Sequence, residues 1–317
     1  MATLNYNLRS SAAGTEERTL TIPERAAGMR LDQALAQLMP EHSRSRIKSW
    51  IDAGRVTLSG APADAKQKLR GGELVAVVPL MDPRTTPIAP QAMDLVVVYE
   101  DDALLVVDKP AGLVVHPGSG NWDATLANAL LHHAPQLAHI ARAGIVHRLD
   151  KDTSGLLVVA KTVTAQTDLV RQLQARTVRR EYLALATGDI ERSGKIDAPI
   201  GRHPVKRTSM AVVATGKPSV TRYEVRERFG DCTLIACRLE TGRTHQIRVH
   251  LASIAHPLVG DPAYGRRHAV AFGRQALHAW RLGLIHPVLR HAMQWQADLP
   301  ADFDGLLAGL RERASND

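Results

Sequence analysis

The strongest constraint on the fold is a series of short apolar runs after residue 94, most of them separated by short turns. Such runs, rich in Val, Ile and Leu, predict strands. Because short turns join antiparallel neighbours whereas parallel neighbours need long crossovers, we expect an α+β fold with a mixed, mostly antiparallel sheet. The predicted strands are 95–99, 104–108, 113–116, 155–161, 181–186, 219–228 and 233–239.

Helices are predicted at 123–133, 164–176 and 244–255, where apolar residues recur at helical spacing. They do not alternate regularly with the strands. This order excludes a doubly wound parallel sheet.

A different pattern precedes the sheet. Leu31, Leu35 and Leu38 recur at helical spacing, and Ser43 can cap a second helix before two short strands. Residues 19–79 are therefore predicted to form a small α+β domain. The remaining chain divides into a flexible polar tail (1–18), a proline-rich linker (80–92) and a large domain (93–317).

Charge points to a polyanionic partner. The 317 residues include 40 Lys and Arg against 32 Asp and Glu, a formal net charge of +8. Aromatic residues make up 4%, which argues against a binding surface built mainly from stacked rings. The apolar runs are too short to cross a membrane, and the polar start is not a secretory signal.

Cysteine usage indicates a reducing compartment. Cys232 and Cys237 are the two cysteines, and they fall on one predicted strand at odd spacing. That spacing puts them on opposite faces, where they cannot bond to each other. We therefore expect two free thiols and a cytoplasmic protein without a membrane partner.

The densest ionisable segment runs from His147 to Asp152 and directly precedes an apolar strand. Catalytic groups are often presented on loops that a rigid scaffold holds in place. A charged surface hairpin with local ion pairs would have the same composition. The residues alone leave both interpretations open.

A second dense segment surrounds Arg243, which precedes a predicted helix capped by Thr244. A cation at a helix N-terminus is unfavourable unless an anion lies nearby. The partner would be a phosphate or a carboxylate such as Asp150. The alternative is an exposed arginine that costs little.

Basic residues also open the second helix of the small domain. Ser43, Arg44 and Arg46, together with the unpaired N–H groups of that helix, predict a phosphate site that Lys48 extends. An ordinary solvated helix face is the alternative. Further basic runs in the large domain, which include Lys206 and Arg207, would continue a basic track.

Metal and nucleotide-cofactor motifs are not found in the sequence. His245 and His250 differ by five positions, so they do not share a helical face as in zinc sites of the HExxH type. No CxxC pair, Walker A loop or GxGxxG loop occurs. We therefore expect neither a metal nor a nucleotide cofactor.

Five short motifs occur in order along the large domain. Residues 147–157 resemble HRLDxxTSG, and residues 108–113 resemble NKPxGL with Asp108 in place of Asn. Residues 180–184, 242–250 and 260–265 resemble (R/K)xYxA, GR(T/S)HQ(I/L)RVH and GDxxYG. In this order the motifs resemble the RluA-type pseudouridine synthases, and they imply the fold of that family.

Residues 29–78 resemble an S4 RNA-binding domain, including the run from Ser43 to Ile51. An S4 domain before this catalytic domain is most like the large-ribosomal-subunit synthase D subgroup. The resemblance implies isomerisation of uridine to pseudouridine in the helix 69 stem-loop of 23S ribosomal RNA by a cofactor-free monomer. A transfer RNA target or another ribosomal site stays open. So do a non-catalytic S4-type RNA-binding protein and a metal-dependent hydrolase.

The resemblance also assigns roles to residues. It implies that Asp150 is the essential carboxylate, that Arg243 is its ion-pair partner, and that Tyr182 stacks on the flipped uracil. It implies that Arg148 flips the base or holds the RNA backbone. The candidates for the apolar wall of the pocket are Ile247 and Leu251.

Overall fold

The computed structural model describes residues 8–9, 17–79, 87–118, 120–206, 208–265 and 270–316. The chain forms two compact units, which meet between Pro87 and Ile88 along the sequence. Most of the predicted tail, the first part of the predicted linker (80–86) and the predicted RNA-binding residue Arg207 lie outside the described residues.

The small unit is an antiparallel sheet with two helices. Its strands lie in the order β1-β2-β5-β3-β4. The elements are β1 (Leu8–Arg9), β2 (Glu17–Thr21), α1 (Leu31–Leu38), α2 (Arg44–Asp52), β3 (Val56–Leu58), β4 (Ala61–Pro62) and β5 (Leu74–Val77).

The predicted boundary of the small domain at residue 19 is wrong. Strand β2 begins at Glu17, inside the predicted tail, and Arg18 pairs with Val77 of β5. The alternation that marks a strand was hidden because the start of β2 is polar and only Leu20 is buried. Pairing with β5, which is distant in sequence, defines this edge of the unit.

The two helices bury one face each against this sheet. Leu31 and Leu35 of α1 and Ile47 and Trp50 of α2 are almost fully buried in one apolar cluster. The predicted cap is confirmed, because the Ser43 hydroxyl accepts a hydrogen bond from the N–H of Arg46 at 3.4 Å. The polar face of α2, with its basic residues, is left at the surface.

The large unit contains the remaining strands and helices. The strands are β6 (Val96–Glu100), β7 (Leu104–Lys109), β8 (Ser154–Ala160), β9 (Arg179–Thr187), β10 (Gly194–Asp197), β11 (Ile200–Arg202), β12 (Met210–Val212), β13 (Val220–Arg228), β14 (Cys232–Leu239), β15 (Leu277–Ile285) and β16 (Ala292–Gln296). The helices are α3 (Leu126–His133), α4 (Val163–Gln174), α5 (Gln246–Ser253) and α6 (Ala301–Asn316).

The main sheet of this unit has the order β10-β13-β14-β9-β15-β8-β7-β6, with β16 paired to β15 and with β11 and β12 in a separate hairpin. Within the described residues the pairs are antiparallel except β8 with β15. The prediction of a mixed, mostly antiparallel sheet in an α+β fold is confirmed.

The strand predicted at 113–116 does not form. The carbonyls of Val114 and Val115 instead accept hydrogen bonds from the N–H groups of Leu126 and Ala127 at the start of α3. The carbonyl of Leu113 accepts from Lys109 Nζ. Since these carbonyls are engaged elsewhere, the segment cannot join the sheet ladder.

Apolar clusters cover both faces of the sheet. On one face Cys237 packs with Tyr182 and with residues of α3 and α5, and on the other Cys232 packs with Phe303 of α6. The two buried cysteines therefore lie on opposite faces as free thiols, as predicted. The neighbouring strand β9 carries residues of the two clusters in alternation, which is the pattern of a sheet buried on both sides.

The predicted linker ends earlier than expected. The side chain of Asn128 donates to the carbonyl of Ala89 at 2.8 Å, and the N–H of Gln91 donates to the carbonyl of Asn128 at 3.0 Å. Ala89 and Gln91 are thus fastened to α3, so the predicted boundary at 92 is wrong and the large unit begins at Ile88. Among the described residues, no helix is long and apolar enough to span a membrane.

Candidate active site

A pocket of about 580 Å³ lies in the large unit, where the loop that precedes β8 meets the loop that precedes α5. Both loops are the dense ionisable segments of the sequence. The residues around the pocket include five of the predicted site residues, namely Arg148, Asp150, Tyr182, Arg243 and Ile247.

Asp150 is partly buried, and its carboxylate is held by Arg248 rather than by Arg243. The Arg248 Nη1 atom donates to Asp150 Oδ2 at 3.0 Å, and the Arg248 side chain is only 6% exposed. The predicted ion pair between Arg243 and Asp150 is wrong. Arg243 is exposed, and its guanidinium reaches the carbonyl of Pro218 at 3.4 Å.

The difference follows from where helix α5 begins. The helix starts at Gln246, after His245 in a left-handed conformation with φ 55°, so Arg243 lies in the preceding loop. The Gln246 side chain accepts from the N–H of Arg243 and from the Thr241 hydroxyl, which braces that loop. Thr244 is not the cap that the sequence predicted.

A signal for Arg248 was present in the sequence. Arg248 follows Ile247 and precedes Leu251 by three positions, so it lies beside the apolar face of the helix. An arginine on a buried helix face needs an acidic partner. The position of Arg248 beside the apolar face of α5 would have identified it as the partner of Asp150. Arg243 precedes the first turn of that helix.

Asp261 fixes the other side of Arg248. Its two carboxylate oxygens accept from Arg248 Nε at 2.7 Å and from Arg248 Nη2 at 2.9 Å, a bidentate pair. Burial alone would raise the pKa of Asp261, but the hydrogen bonds and charge of Arg248 outweigh it and lower that pKa. Arg248 therefore bridges two carboxylates and cannot swing away from Asp150 without abandoning Asp261.

His245 approaches the other oxygen of Asp150. Its Nε2 atom lies 3.8 Å from Asp150 Oδ1, and its Nδ1 atom shares a hydrogen bond of 2.8 Å with the Tyr264 hydroxyl. The Tyr264 hydroxyl oxygen also accepts from the N–H of Met210 on β12, so it links His245 to that strand.

A buried lysine anchors the loop that carries Asp150. The Nζ atom of Lys109 donates to the carbonyls of Pro110, Leu113 and Lys151 at 2.7–2.9 Å. Burial lowers the pKa of Lys109 to about 7, against the opposing charges of Asp152 and Asp150. This residue joins two of the sequence motifs, although no role was predicted for it.

His147 anchors the same loop to the sheet. Its Nε2 atom accepts a hydrogen bond from the N–H of Val158 on β8 at 3.2 Å. Burial, followed by the charge of Arg180, lowers the pKa of His147 to about 3. The ring is thus neutral and structural, and the adjacent Arg148 points outward.

Tyr182 forms part of the pocket floor. It lies on β9 and is 6% exposed, and burial raises the pKa of its hydroxyl. Ile247 is also buried at the pocket. The prediction for Leu251 is wrong, because that side chain is fully buried in the apolar cluster and does not line the pocket.

The predicted RNA-contact residues are exposed. Arg148 lies at the pocket, and its charge, after burial and Arg142, contributes to lowering the pKa of His116 to about 4. Lys206 is exposed near the hairpin of β11 and β12.

The basic residues of the small unit already have intramolecular partners. Arg44 donates to Asp32 at 2.9 Å, and Lys48 pairs with Asp52 at 2.5 Å. The guanidinium of Arg46 lies 5.6 Å from the centre of the Trp50 ring. The structure therefore gives each of these three α2 residues an intramolecular partner.

Metal-ligating side chains are dispersed in the described part of the chain, where no group of three or more His, Cys, Asp or Glu is placed to hold a metal ion. His250, for example, bonds through Nδ1 to the Thr221 hydroxyl at 2.8 Å and through Nε2 to the carbonyl of Ala198 at 3.0 Å. Its role is to connect α5 to the sheet.

Known proteins resemble this chain over almost its whole length. Residues 103–253 match the RNA pseudouridylate synthase family, and residues 29–75 match the S4 domain. A protein of Nitrosomonas europaea named ribosomal large subunit pseudouridine synthase D is 55% identical, over 97% of this chain and 93% of its own length. The chain belongs to the RluA family of pseudouridine synthases. A relative of the same name in Escherichia coli K12 is 51% identical to this synthase, over 92% and 94% of the two chains.

Solved structures agree with the fold. Human RNA pseudouridylate synthase domain containing 1 superposes on this synthase with a TM-score of 0.53 at 29% identity, covering 69% of this chain and 95% of its own. Human RNA pseudouridylate synthase domain containing 4 gives 0.54 at 26% identity, over 68% and 93%. The predicted pseudouridine synthase fold, the S4 domain and the RNA pseudouridine synthase activity are thereby confirmed.

Proposed function

We propose that this synthase converts uridine to pseudouridine in 23S ribosomal RNA, with helix 69 as the target. The observation that carries the chemistry is the carboxylate of Asp150, paired with Arg248 and set in one pocket with Tyr182. The large-subunit target rests on the names of relatives that share 51–55% identity over almost the whole chain.

The reaction breaks the N1–C1′ bond of uridine, turns the base and rejoins it through C5. It is an isomerisation without net redox change or hydrolysis, so the chain's own residues are sufficient to carry it. The carboxylate of Asp150 acts at the ribose, either on C1′ or on the C2′ proton. Arg248 keeps that carboxylate ionised, because an adjacent cation favours the charged form.

The base must leave its stack before it can react. Unstacking costs a few kcal/mol and is cheapest in a loop. Arg148, exposed beside the pocket, takes the place of the base or holds the backbone while the uridine enters. The ring of Tyr182 stacks on the uracil, and Ile247 supplies the apolar wall.

Substrate grip comes from exposed cations in both units. Arg243 contacts RNA phosphate at the pocket in this proposal, because the structure directs its guanidinium away from Asp150. In the small unit the cap residue Ser43 and the basic residues Arg44, Arg46 and Lys48 bind phosphate at the start of α2. In the large unit the basic segment that includes Lys206 and Arg207 extends this contact. We expect the synthase to act as a cytoplasmic monomer.

The proposal is tested by mapping pseudouridines in total RNA from cells with and without the gene. Loss of pseudouridine from helix 69 in the deletion strain, restored by the wild-type gene and not by Asp150→Asn, is the expected result. Loss confined to transfer RNA would replace the proposed target. An Asp150→Asn protein that restores every modification would refute the role of Asp150.

Purified Asp150→Asn protein provides a control for folding and binding. Arg248 keeps its bidentate pair with Asp261 in this variant, so we expect a wild-type melting temperature. The dissociation constant for ribosomal RNA should also match that of the wild type, while product falls below detection.

A further inference from the structure

Arg180 is a buried cation without a partner in the described part of the chain. Its side chain lines the pocket, and the residue is 7% exposed. The Nε atom is buried and makes no hydrogen bond, and the guanidinium forms no ion pair with a described residue. By contrast, Arg248 in the same pocket is held by two carboxylates.

An arginine in this position is costly. A guanidinium remains charged in proteins, so it cannot escape burial by losing its proton. Buried charges are otherwise paired or hydrogen-bonded, because an uncompensated one loses its hydration. A buried, unpaired guanidinium at a pocket wall therefore indicates a ligand that supplies negative charge or acceptor oxygens.

The surrounding backbone leaves room for this guanidinium. A Cβ atom on Gly242 would lie 2.6 Å from Arg180 Nη1, and Gly242 has no left-handed backbone conformation that would itself require glycine. The Arg180 head group thus occupies the space that a side chain at residue 242 would take. Two motifs that are distant in sequence meet here, at the pocket.

Arg180 and Tyr182 face the pocket from one side of strand β9. Residues two apart on a strand share a face and lie about 7 Å apart, and the cluster on this face contains Tyr182, Ala184 and Ala186. The neighbour Arg179 is exposed and donates to Glu181 at 2.6 Å. The cation of Arg180 is therefore beside the ring that is proposed to stack on uracil.

The burial of Arg180 favours the base over the phosphate as its ligand. Four exposed arginines, Arg142, Arg148, Arg176 and Arg243, also line the pocket and are accessible to the sugar–phosphate backbone. Arg180 is more than nine-tenths buried beside Tyr182, the residue proposed to stack on the flipped base. The planar donor fork of a guanidinium fits the carbonyl oxygens on the edge of uracil.

We propose that Arg180 binds a carbonyl oxygen of the flipped uracil and stabilises the negative charge that the base carries after the N1–C1′ bond breaks. This inference rests on the proposed function of the pocket. When the bond breaks, its electron pair stays on the base, whether Asp150 attacks C1′ or removes the C2′ proton. The bond from C5 to C1′ then forms, and the proton lost from C5 is balanced by the proton gained at N1.

The test compares Arg180→Gln with Arg179→Gln, a matched change of charge on the adjacent, outward-facing residue. Excess enzyme is mixed with total RNA from the deletion strain, so that the substrate is present whichever RNA is modified. We expect Arg180→Gln to lower the single-turnover rate constant of pseudouridine formation by about 10²–10³-fold, the usual effect of removing a charge-stabilising donor. Arg179→Gln should retain the wild-type rate constant.

The salt dependence of RNA binding shows whether Arg180 binds the uracil base or an RNA phosphate. The slope of log affinity against log salt should be the same for Arg180→Gln and the wild type, because no phosphate contact is lost. A slope reduced by about 0.7–0.9 with a normal rate constant would make Arg180 a phosphate ligand and overturn the proposal. A rate constant equal to that of Arg179→Gln would also overturn it.

Stability gives an independent measurement. Removing an unpartnered buried charge should leave the melting temperature of Arg180→Gln unchanged or higher. A lower melting temperature with a normal rate constant at temperatures where the protein is folded would identify Arg180 as structural and refute the proposal.

Gly242→Ala tests the same contact with Arg180 still present. Its Cβ atom would displace the guanidinium, so the rate constant should fall several-fold with unchanged salt dependence. A wild-type rate constant would count against the contact. If wild-type enzyme modifies only transfer RNA, the proposed ribosomal target fails, while the role of Arg180 is still decided by these comparisons.

Discussion

The start of helix α2 and the pocket around Asp150 both contain several cationic side chains, but these cations differ in solvent exposure and in pairing. At α2 the cations are exposed, with side-chain exposures of 46% for Arg44 and 49% for Lys48, and each pairs with one acid. In the pocket Arg248 is buried between two carboxylates, and Arg180 is buried without an ion pair to any residue that the structure describes.

The difference follows from solvation. Lys48 and Asp52 form an exposed ion pair, which contributes about 0–1 kcal/mol, so Lys48 can exchange its acid for an RNA phosphate at little cost. Arg44 pairs with the buried Asp32, which has Arg30 as a second partner. Breaking a buried pair costs about 3–5 kcal/mol, so the pocket charges stay where the fold places them. The exposed cations of the small unit are thus suited to reversible RNA binding. The buried charges of the pocket are suited to holding the reacting groups in one arrangement.

The largest effect should come from Arg248→Gln. This change leaves the fully buried Asp261 side chain without its cation, so the free energy of unfolding of the large unit should fall by about 3–5 kcal/mol. Pseudouridine formation should also fall, because Asp150 loses its ion pair. Denaturant unfolding and single-turnover assays measure the two effects.

The double variant Arg248→Gln with Asp261→Asn separates these effects. Asparagine can still accept from the N–H groups of Ala263 and Tyr264, so much of the stability should return. The rate should not return, since Asp150 still lacks its cation. Recovery of activity would mean that Arg248 acts only through stability.

Acid should affect the large unit more than the small one. The native ring of His147 is neutral with a pKa of about 3, while the unfolded ring has a pKa near 6.5. The unfolded state therefore binds more protons below pH 6.5, and stability is lost as the pH falls. From pH 6.5 to 5 this group removes about 2 kcal/mol from the free energy of unfolding.

His147→Gln should remove the contribution of His147 to that pH dependence, because glutamine can accept from Val158 without titrating. His116 and His278, whose pKa values are also lowered to about 4 by burial, should still contribute. Exposed His132→Gln is the matched control and should leave it unchanged. His42 is the one histidine before residue 88, so hydrogen exchange in the small unit should respond less to acid. Equal destabilisation of both units by acid would contradict the predicted difference between them.

A smaller effect on stability is expected for Lys48→Gln. The exposed pair with Asp52 should cost less than about 1 kcal/mol of unfolding free energy. If Lys48 contacts phosphate, the salt dependence of ribosomal RNA binding should fall by about 0.7–0.9 in slope. Arg25→Gln, which removes an exposed charge away from α2, is the control, and an equal change in both variants would contradict a local site.

The smallest effect on stability should be that of Arg243→Gln, within about 0.5 kcal/mol, because the guanidinium is exposed and only loosely bonded. Its salt slope should fall as for a phosphate contact, with an unchanged single-turnover rate constant. A rate loss as large as that of Arg248→Gln would restore Arg243 as the functional partner of Asp150.

Much of the fold was predictable because its signals are local. Helical spacing located α1 and α2, the hydroxyl of Ser43 is a cap in sequence and in structure, and apolar runs located most strands. Strand β2 was missed because it depends on pairing with β5, and 113–116 was mispredicted because its carbonyls serve Lys109 and α3. In each failure a distant partner decides the local conformation.

The sequence by itself determined the family, the two-domain order and the strand-rich large domain, and it identified Asp150 as the candidate catalytic carboxylate. Only the tertiary structure decided which cation reaches that carboxylate, because the start of α5 and the position of Asp261 turn Arg248 inward and Arg243 outward. It also separated Arg180 from its neighbour Arg179. A strand sends adjacent side chains to opposite faces, and the environment of each face is set by elements far away in the chain.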